Sequence, residues 1–336
     1  MSAIAPGATG DEVEIMMLEV MSGIRGFCHG LCGEWLERRR WADGPVDRSA
    51  VRIFYGRDHI PGRNEAAQGG IVKCQDLSDR FPNTRKGANI LYLVSSALPP
   101  SAASIIRAAK SAGAQLVLNQ NGVAYPAWHG EGWESANEPM KSVMQAADYV
   151  IYQSAFCKES ADRYLGVCPC RWEILHNPVD TATFVPGPAL SMANGPVMLA
   201  SGSHMQFYRV ESVVRTLALV LKKYPSAKLV IAGHLGWRPN VRDAERELRE
   251  LSSGLGIGDR VVLTGRYTQN QAVPLLQSAH MLIHTKYNDP CPRMIVEAMS
   301  CGLPVIYSAS GGAHELVGDT AGVGVPVPQG WDRLHA

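Results

Sequence analysis

The chain has 336 residues, 46% of them hydrophobic and 19% charged, which exceeds one average domain and gives enough apolar side chain for two cores. Its formal net charge of +1 offers no electrostatic footprint for a nucleic acid, and no segment is long and apolar enough to span a bilayer. The eight cysteines follow no secretory leader and form no regular framework, so reduced thiols in a cytoplasm are expected. Cys28 with Cys32, and Cys168 with Cys170, each lack the second pair at zinc-finger spacing that a structural metal site needs.

Residues 1–48 are expected to form a helical N-terminal extension. Between Glu12 and Arg40 the residues Ile15, Leu18, Met21, Ile24, Cys28, Leu31 and Trp35 recur at helical spacing, weakened by Gly23, Gly26, Gly30 and Gly33. A helix or helix pair packed on the main body fits this pattern. A membrane-surface anchor would favour a lysine-rich flank, which is missing. Residues 49–183 then alternate strand and helix signals. Strands are expected at Val51–Tyr55, Ile90–Val94, Gln115–Asn119 and Tyr149–Tyr152. A loop with Gly56, Gly62, Gly69 and Gly70 follows the first, and helices are expected from Ile71, over Ala102–Ala112 and over Lys158–Tyr164.

A segment rich in Pro, Gly, Ala and Ser up to Pro196 reads as a linker. A second alternating set follows in residues 184–336. Its expected strands are Val197–Ala200, Lys228–Ala232, Val261–Leu263 and Met281–His284, with Ser201-Gly202-Ser203 as a loop. Its expected helices are Val210–Lys223, Ala244–Leu251 and Asn270–Ser278. Alternation of this kind argues for an α/β fold of two facing, doubly wound, Rossmann-like domains with a cleft between them. Ligands should sit outside the carboxyl ends of the strands.

Asp289 to Gly312 is the most informative stretch. Pro290 or Pro292 suits a first helical turn, and Gly302 falls where a helix ends in a left-handed residue. Pro304 bars further helix, and Val305, Ile306 and Tyr307 make a short strand. Glu297 lies about two turns beyond Asp289, near the same face. Two carboxylates beside a Gly-Gly loop suit a hydroxyl-rich ligand that carries phosphates.

This stretch resembles the signature of retaining, nucleotide-sugar-dependent glycosyltransferases of the GT-B fold (group 1, family 4-like), which include sucrose synthases and mannosyltransferases. The family has an acid, seven residues, a glutamate, Ala-Met-Ala-Cys-Gly-x-Pro-Val, and a later Gly-Gly-x-x-Glu. Here Glu297, Ala298, Met299, Cys301, Gly302, Pro304, Val305, Gly311, Gly312 and Glu315 match, and Asp289 stands where a glutamate is usual. Gln153-Ser154-x-Phe156-Cys157-Lys158 and Asn177-Pro178-Val179-Asp180 look like the family's interdomain entry. The resemblance runs from about residue 51 to the last residue.

The resemblance implies a first domain for the acceptor and a second for the nucleotide-sugar donor. Asp289 would meet the donor sugar, Glu297 the ribose, and Arg209 the phosphates, with His129 near the reacting sugar. Gly202 and Ser203 occupy donor-phosphate positions, but Ser203 replaces the family's arginine, which implies either weak catalysis or that Arg266 or Arg293 supplies the charge instead. Ser310, Gly311 and Gly312 would offer backbone amides, and Arg57, His59, Arg63, Gly69 and Gly70 would face the acceptor. Structural alternatives stand beside these roles: a surface position for Arg209, an ion pair with Arg293 for Glu297, a helix cap for Asp289, a tight turn for the glycine pair and an ordinary loop histidine for His129.

No cofactor is expected beyond the nucleotide-diphosphate sugar as co-substrate. No metal is expected, for want of an Asp-x-Asp motif. The expected acceptor is a glycan, a lipid-linked molecule or a small molecule, met in the cytoplasm or at a membrane periphery. The rival class is a non-catalytic GT-B protein that binds nucleotide or glycan. A dehydrogenase is more distant, because no Gly-x-Gly-x-x-Gly follows the first strand of either domain. The family continues with further helices that cross back to the first domain, whereas this chain stops at Ala336. It is therefore expected to be truncated at its C-terminal helices, or to replace the crossing helix with the N-terminal extension.

Overall fold

The computed structural model describes residues 35–41, 48–65, 67, 69–327 and 330–332. The amphipathic pattern from Glu12 to Arg40 falls outside these residues except at its end, where residues 35–41 form helix α1. Trp41 of α1 is buried edge-on against Phe54, with ring centroids 5.8 Å apart. Glu37 accepts from Arg85 at 2.5 Å, so α1 is held to the first domain by both contacts.

The first sheet is wholly parallel, in the order β1 (Ile53–Phe54), β2 (Ile90–Val94), β3 (Gln115–Gln120), β4 (Tyr149–Tyr152) and β5 (Arg171–Ile174). Strands covered on both faces read as apolar runs, and Leu91, Leu93, Leu116, Leu118, Val150 and Tyr152 are each at most 1% exposed. Each such side chain contributes about 2 kcal/mol through the area it removes from water. The helices are α2 (Gly69–Ser78), α3 (Ala102–Ser111), α4 (Pro126–His129), α5 (Trp133–Ala146) and α6 (Ala155–Tyr164).

Helices α4 and α5 and strand β5 are not anticipated by the sequence pattern. Helix α5 contains Pro139, a residue that ordinarily breaks helices. It is held by Asn137, whose buried side chain exchanges hydrogen bonds with both the N–H and the C=O of Ala124 at 2.9 and 2.8 Å. Strand β5 is an edge strand exposed along its whole length, so it shows no alternation.

The second sheet comprises β6 (Val197–His204), β7 (Lys228–Leu235), β8 (Val261–Gly265), β9 (Met281–His284), β10 (Val305–Ser308) and β11 (Gly322–Val325). Its order is β11-β10-β9-β6-β7-β8, which is doubly wound with the reversal between β6 and β9. Its helices are α7 (Tyr208–Val220), α8 (Val241–Gly254), α9 (Gln269–Gln277), α10 (Arg293–Ser300) and α11 (Ala313–Val317). Strands β6 and β7 outrun their expected ends, so Gly202 and Ser203 lie in the ladder opposite Gly233 and His234. A Cβ on Gly233 would meet the Gly202 carbonyl oxygen at 1.9 Å, so glycine at 233 lets these backbones continue side by side. The expected loop at Ser201-Gly202-Ser203 is thereby corrected to strand.

The chain returns to the first core near its end. Trp331 stacks on Phe156 with centroids 5.1 Å apart and planes at 7°, and its carbonyl accepts from Ala127 N–H at 2.9 Å. Trp331 is thus packed against the first core. No helix among the described residues is long and apolar enough to cross a membrane.

Candidate functional site

In open α/β sheets, ligands bind outside the carboxyl ends of the strands where the winding reverses. In the second sheet that point lies between the ends of β6 and β9, occupied by the buried His204 and His284. His204 donates from Nε2 to the Ala232 carbonyl at 3.1 Å, while burial and the nearby Arg209 push its pKa down to about 3. It is a neutral post under the site.

Asp289 lies on the loop after β9 and is 9% exposed. Its Oδ2 accepts from His284 Nε2 at 3.1 Å and pairs with Lys286 Nζ at 3.3 Å. Burial pushes the carboxyl up, but Lys286, His284 and Arg209 outweigh it and hold Asp289 below the usual carboxylate range. Burial keeps His284 neutral, so its bond to an ionised Asp289 requires the ring proton on Nε2. Asp289 is not a helix cap, since Pro292 caps α10.

Arg209 is 4% exposed in the first turn of α7, which removes the surface alternative for it. Its Nη1 donates to the Ser203 carbonyl, and its Nε is buried without a partner among the described residues. Burial lowers the guanidinium pKa, and Asp289 opposes that shift. Ser203 itself presents an exposed side chain at the strand end, beside Gly202 with φ +122°.

Glu297, 6% exposed, accepts at Oε1 from Arg293 Nε at 2.6 Å. Arg293 also pairs with Asp76 of α2, across the domain boundary. Burial raises the Glu297 pKa and Arg293 opposes it. The ion-pair alternative for Glu297 therefore holds, and Oε2 is left without a hydrogen bond among the described residues. Arg293 is thus shared between two carboxylates of the protein, Asp76 and Glu297. Arg266 is exposed at the rim of a cavity of about 140 Å³ lined by Gly233, His234 and Leu263.

The glycine pair works as a close-packing device. Gly311 has φ +70°, and a Cβ on Gly312 would lie 2.0 Å from the Pro290 carbonyl oxygen. Gly312 N–H donates to the Asp289 carbonyl at 2.8 Å, and Ser310 Oγ accepts from Asn288 N–H at 2.9 Å. The amide of Gly312 and the hydroxyl of Ser310 thus hold the acidic loop, so these two groups are already engaged by protein.

On the first domain, Arg57 donates to the Ala97 carbonyl at 2.8 Å, and Arg63 pairs with Asp79 and, at 3.6 Å, with Asp76. His59 is exposed, 3.9 Å from Glu65. Gly69 opens α2 with free space beside it, whereas a Cβ on Gly70 would meet Ser96 Oγ at 2.7 Å and Ala97 Cβ at 2.8 Å. Gly70 therefore admits the 95–97 turn. His129 is exposed at the end of α4 and bonds to none of the cluster; its neighbour Trp128 instead lies 5.3 Å from Lys286 Nζ.

Sequence reasoning gave no role to His284, Lys286 or Asp76, and it missed what Glu315 does. The Glu315 carboxylate accepts from Ala155 and Phe156 N–H at 2.7 and 3.1 Å, capping the start of α6 from the other domain. Ser154 Oγ donates to the Pro290 carbonyl at 2.5 Å, and Asn177 Nδ2 donates to the Cys291 carbonyl at 2.6 Å. The Gln153-Ser154 and Asn177-Pro178 motifs are thus the bolts that fix the acidic loop to the first domain. The spacing His284-x-Lys286-x-x-Asp289 was the signal available for the first two residues.

Comparison with known proteins agrees with this geometry. Residues 191–336 match the family model described as Glycosyl transferases group 1. The D-inositol 3-phosphate glycosyltransferase of Mycolicibacterium vanbaalenii is 27% identical over 205 residues, 55% of this chain and 45% of that protein. The GDP-Man:Man(3)GlcNAc(2)-PP-Dol alpha-1,2-mannosyltransferase of Dictyostelium discoideum is 36% identical over 112 residues, 31% of this chain and 22% of its own length. The chain thus spans less than half of either curated relative. The structure of Anabaena Alr3699/HepE in complex with UDP and glucose superposes with a TM-score of 0.59 at 19% identity, covering 90% of this chain and 83% of that one. The likeness shows the fold: two parallel-sheet α/β domains in the GT-B arrangement.

Proposed function

We propose that the protein is a glycosyltransferase that moves a sugar from a nucleotide-diphosphate sugar to an acceptor, with retention and without a metal ion. The observation that carries this reading is the buried, ionised Asp289, set among Lys286, His284 and Arg209 at the winding reversal and bolted to the facing domain. A carboxylate held ionised in a water-poor site accepts hydrogen bonds from sugar hydroxyls. Arg209 faces the developing charge of the departing diphosphate; one well-placed donor of this kind contributes about 3 kcal/mol to the transition state. Glu297 keeps Oε2 for the ribose hydroxyls while Arg293 fixes Oε1.

The acceptor is a glycan, a lipid-linked molecule or a small molecule. The relatives' names specify D-inositol 3-phosphate and a dolichol-linked glycan, which supports an acceptor carrying phosphate. A cytoplasmic location, peripheral to a membrane for a lipid-linked acceptor, belongs to the same proposal. The rival reading, a non-catalytic nucleotide or glycan binder, draws on Ser203 in the cation position and on the pairing of Arg293 with both Asp76 and Glu297.

Calorimetric titration with UDP, GDP and ADP, then hydrolysis of the matching sugar nucleotide, tests the proposal. One diphosphate is expected to bind, with slow hydrolysis of its sugar form, and Glu297→Ala is expected to abolish turnover. Unchanged turnover in that variant would refute the role of Glu297. Binding with no hydrolysis and no transfer to any acceptor would favour the rival.

A further inference from the structure

Asp76 lies about two turns into α2 on the first domain, and the chemistry above gives it no part in meeting donor or acceptor. Both of its carboxylate oxygens nevertheless reach the second domain. Oδ2 accepts from Arg293 Nη1 at the start of α10, and Oδ1 accepts from Gln269 Nε2 at 3.3 Å in the first turn of α9. Arg63 Nη2, from its own domain, stands 3.6 Å from Oδ1. Side-chain exposure falls from 23% at Asp76 to 15% at Arg293 and 8% at Glu297, so this chain of charges runs inward from the domain boundary to the candidate site.

Arg293 and Glu297 stand four residues apart on one helix, where the planar fork of a guanidinium can grip both oxygens of a carboxylate. Here it grips one. Only Nε reaches Glu297, at Oε1 and 2.6 Å, while Nη1 is turned toward Asp76. Without that second carboxylate the guanidinium is free to rotate onto Glu297 and engage Oε2 as well. We propose that Asp76 is a positioning residue for the donor site. By holding one arm of Arg293 from the facing domain, it keeps Glu297 in a single-point bond and leaves Oε2 open to the hydroxyls of the nucleotide ribose. The ribose is thereby recognised only when the two domains are apposed. The inference rests on the glycosyltransferase reading and on the role given there to Glu297.

The test is calorimetric titration of wild type, Asp76→Asn, Asp76→Glu and Gln269→Ala with UDP, GDP and ADP, and with the 2′,3′-dideoxy form of the diphosphate that binds. Wild type is expected to prefer the ribose form by roughly tenfold or more, as for hydrogen bonds to a charged group. Asp76→Asn keeps the shape of the side chain without its charge. It should bind the ribose form about as weakly as the dideoxy form, whose own affinity stays near wild type. Asp76→Glu should restore the preference. Gln269→Ala removes the other bond from Asp76 to the second domain and should also keep the preference, which separates the steering of Arg293 from a plain tie between domains. Thermal melts of the same variants read that tie. An Asp76→Asn protein that retains the wild-type preference, or that loses equal affinity for both ligands, overturns the inference, as does a Gln269→Ala protein that loses the preference. Each of these leaves the glycosyltransferase reading intact. Equal binding of both forms by wild type removes the role of Glu297 and the inference with it, and absence of diphosphate binding by wild type overturns the whole reading.

Discussion

Replacing Gly312 by alanine tests whether the glycine pair exists to let the β10–α11 turn press on the acidic loop. Gly312 has φ −88°, which alanine adopts freely, so the penalty is steric. The added Cβ would lie 2.0 Å from the Pro290 carbonyl oxygen, 2.7 Å from Ser154 Oγ and 2.8 Å from Ser154 Cβ. Carbon–oxygen contacts sit at roughly 3.3 Å or beyond, so the loop must retreat by about 1 Å. That retreat strains the Gly312–Asp289 hydrogen bond at 2.8 Å and the Ser154–Pro290 bond at 2.5 Å. At about 1 kcal/mol each, plus ~1–3 kcal/mol for overpacking, the loss is roughly 3–5 kcal/mol. A shift of that size at Asp289 should lower turnover by about 100-fold. Sugar-nucleotide hydrolysis and a thermal melt read the two effects. Gly254→Ala is the control: Gly254 ends α8 with nothing within 4 Å of its Cβ position, and alanine there should leave both readings near wild type. A Gly312→Ala protein with wild-type turnover and melting temperature refutes the reasoning.

Glu315→Gln should weaken the tie between the domains by about 1–2 kcal/mol, because a neutral amide loses the charge assistance to the α6 amides. Urea unfolding measures it, and an unchanged midpoint counts against the bridge. Lys73, on α2, gives a pH signature. Its folded pKa, about 8, lies below the ordinary 10.5, so between those values the unfolded chain binds more protons and stability rises with pH. The shift corresponds to about 3 kcal/mol of destabilisation, fully present below pH 8 and relieved toward pH 10.5. Tyrosines titrate in the same alkaline range, so the measured quantity is the difference between wild type and Lys73→Met. A difference that stays constant from pH 7 to 10 would sink the argument.

Local chemistry made much of this protein legible from its residues. The apolar runs at Ile90–Val94 and Tyr149–Tyr152 determined buried parallel strands, because a strand covered on both faces has no polar side to alternate. Gly302, at φ +81° after α10, and Pro304 marked the turn for reasons of backbone geometry alone. Helix α5 was hidden by Pro139, and β5 by its exposed edge position, since neither leaves the expected periodicity.

The candidate site divides in the same way. Asp289, Glu297 and Arg209 stand at fixed spacings in the chain, so their presence was readable. Their partners come from elsewhere in the fold: Asp76 reaches Arg293 from α2, and Glu315 caps α6 in the other domain. Gly70 and Gly312 could be counted but not interpreted, because the atoms that exclude a Cβ there belong to residues 96–97, 290 and 154. Whether Arg293 is a free charge or a shared one depends on which helices pack together. Charge and composition are properties of the chain. The pairing of charges, and the burial that shifts Lys73 to about 8, are set only once the two domains meet.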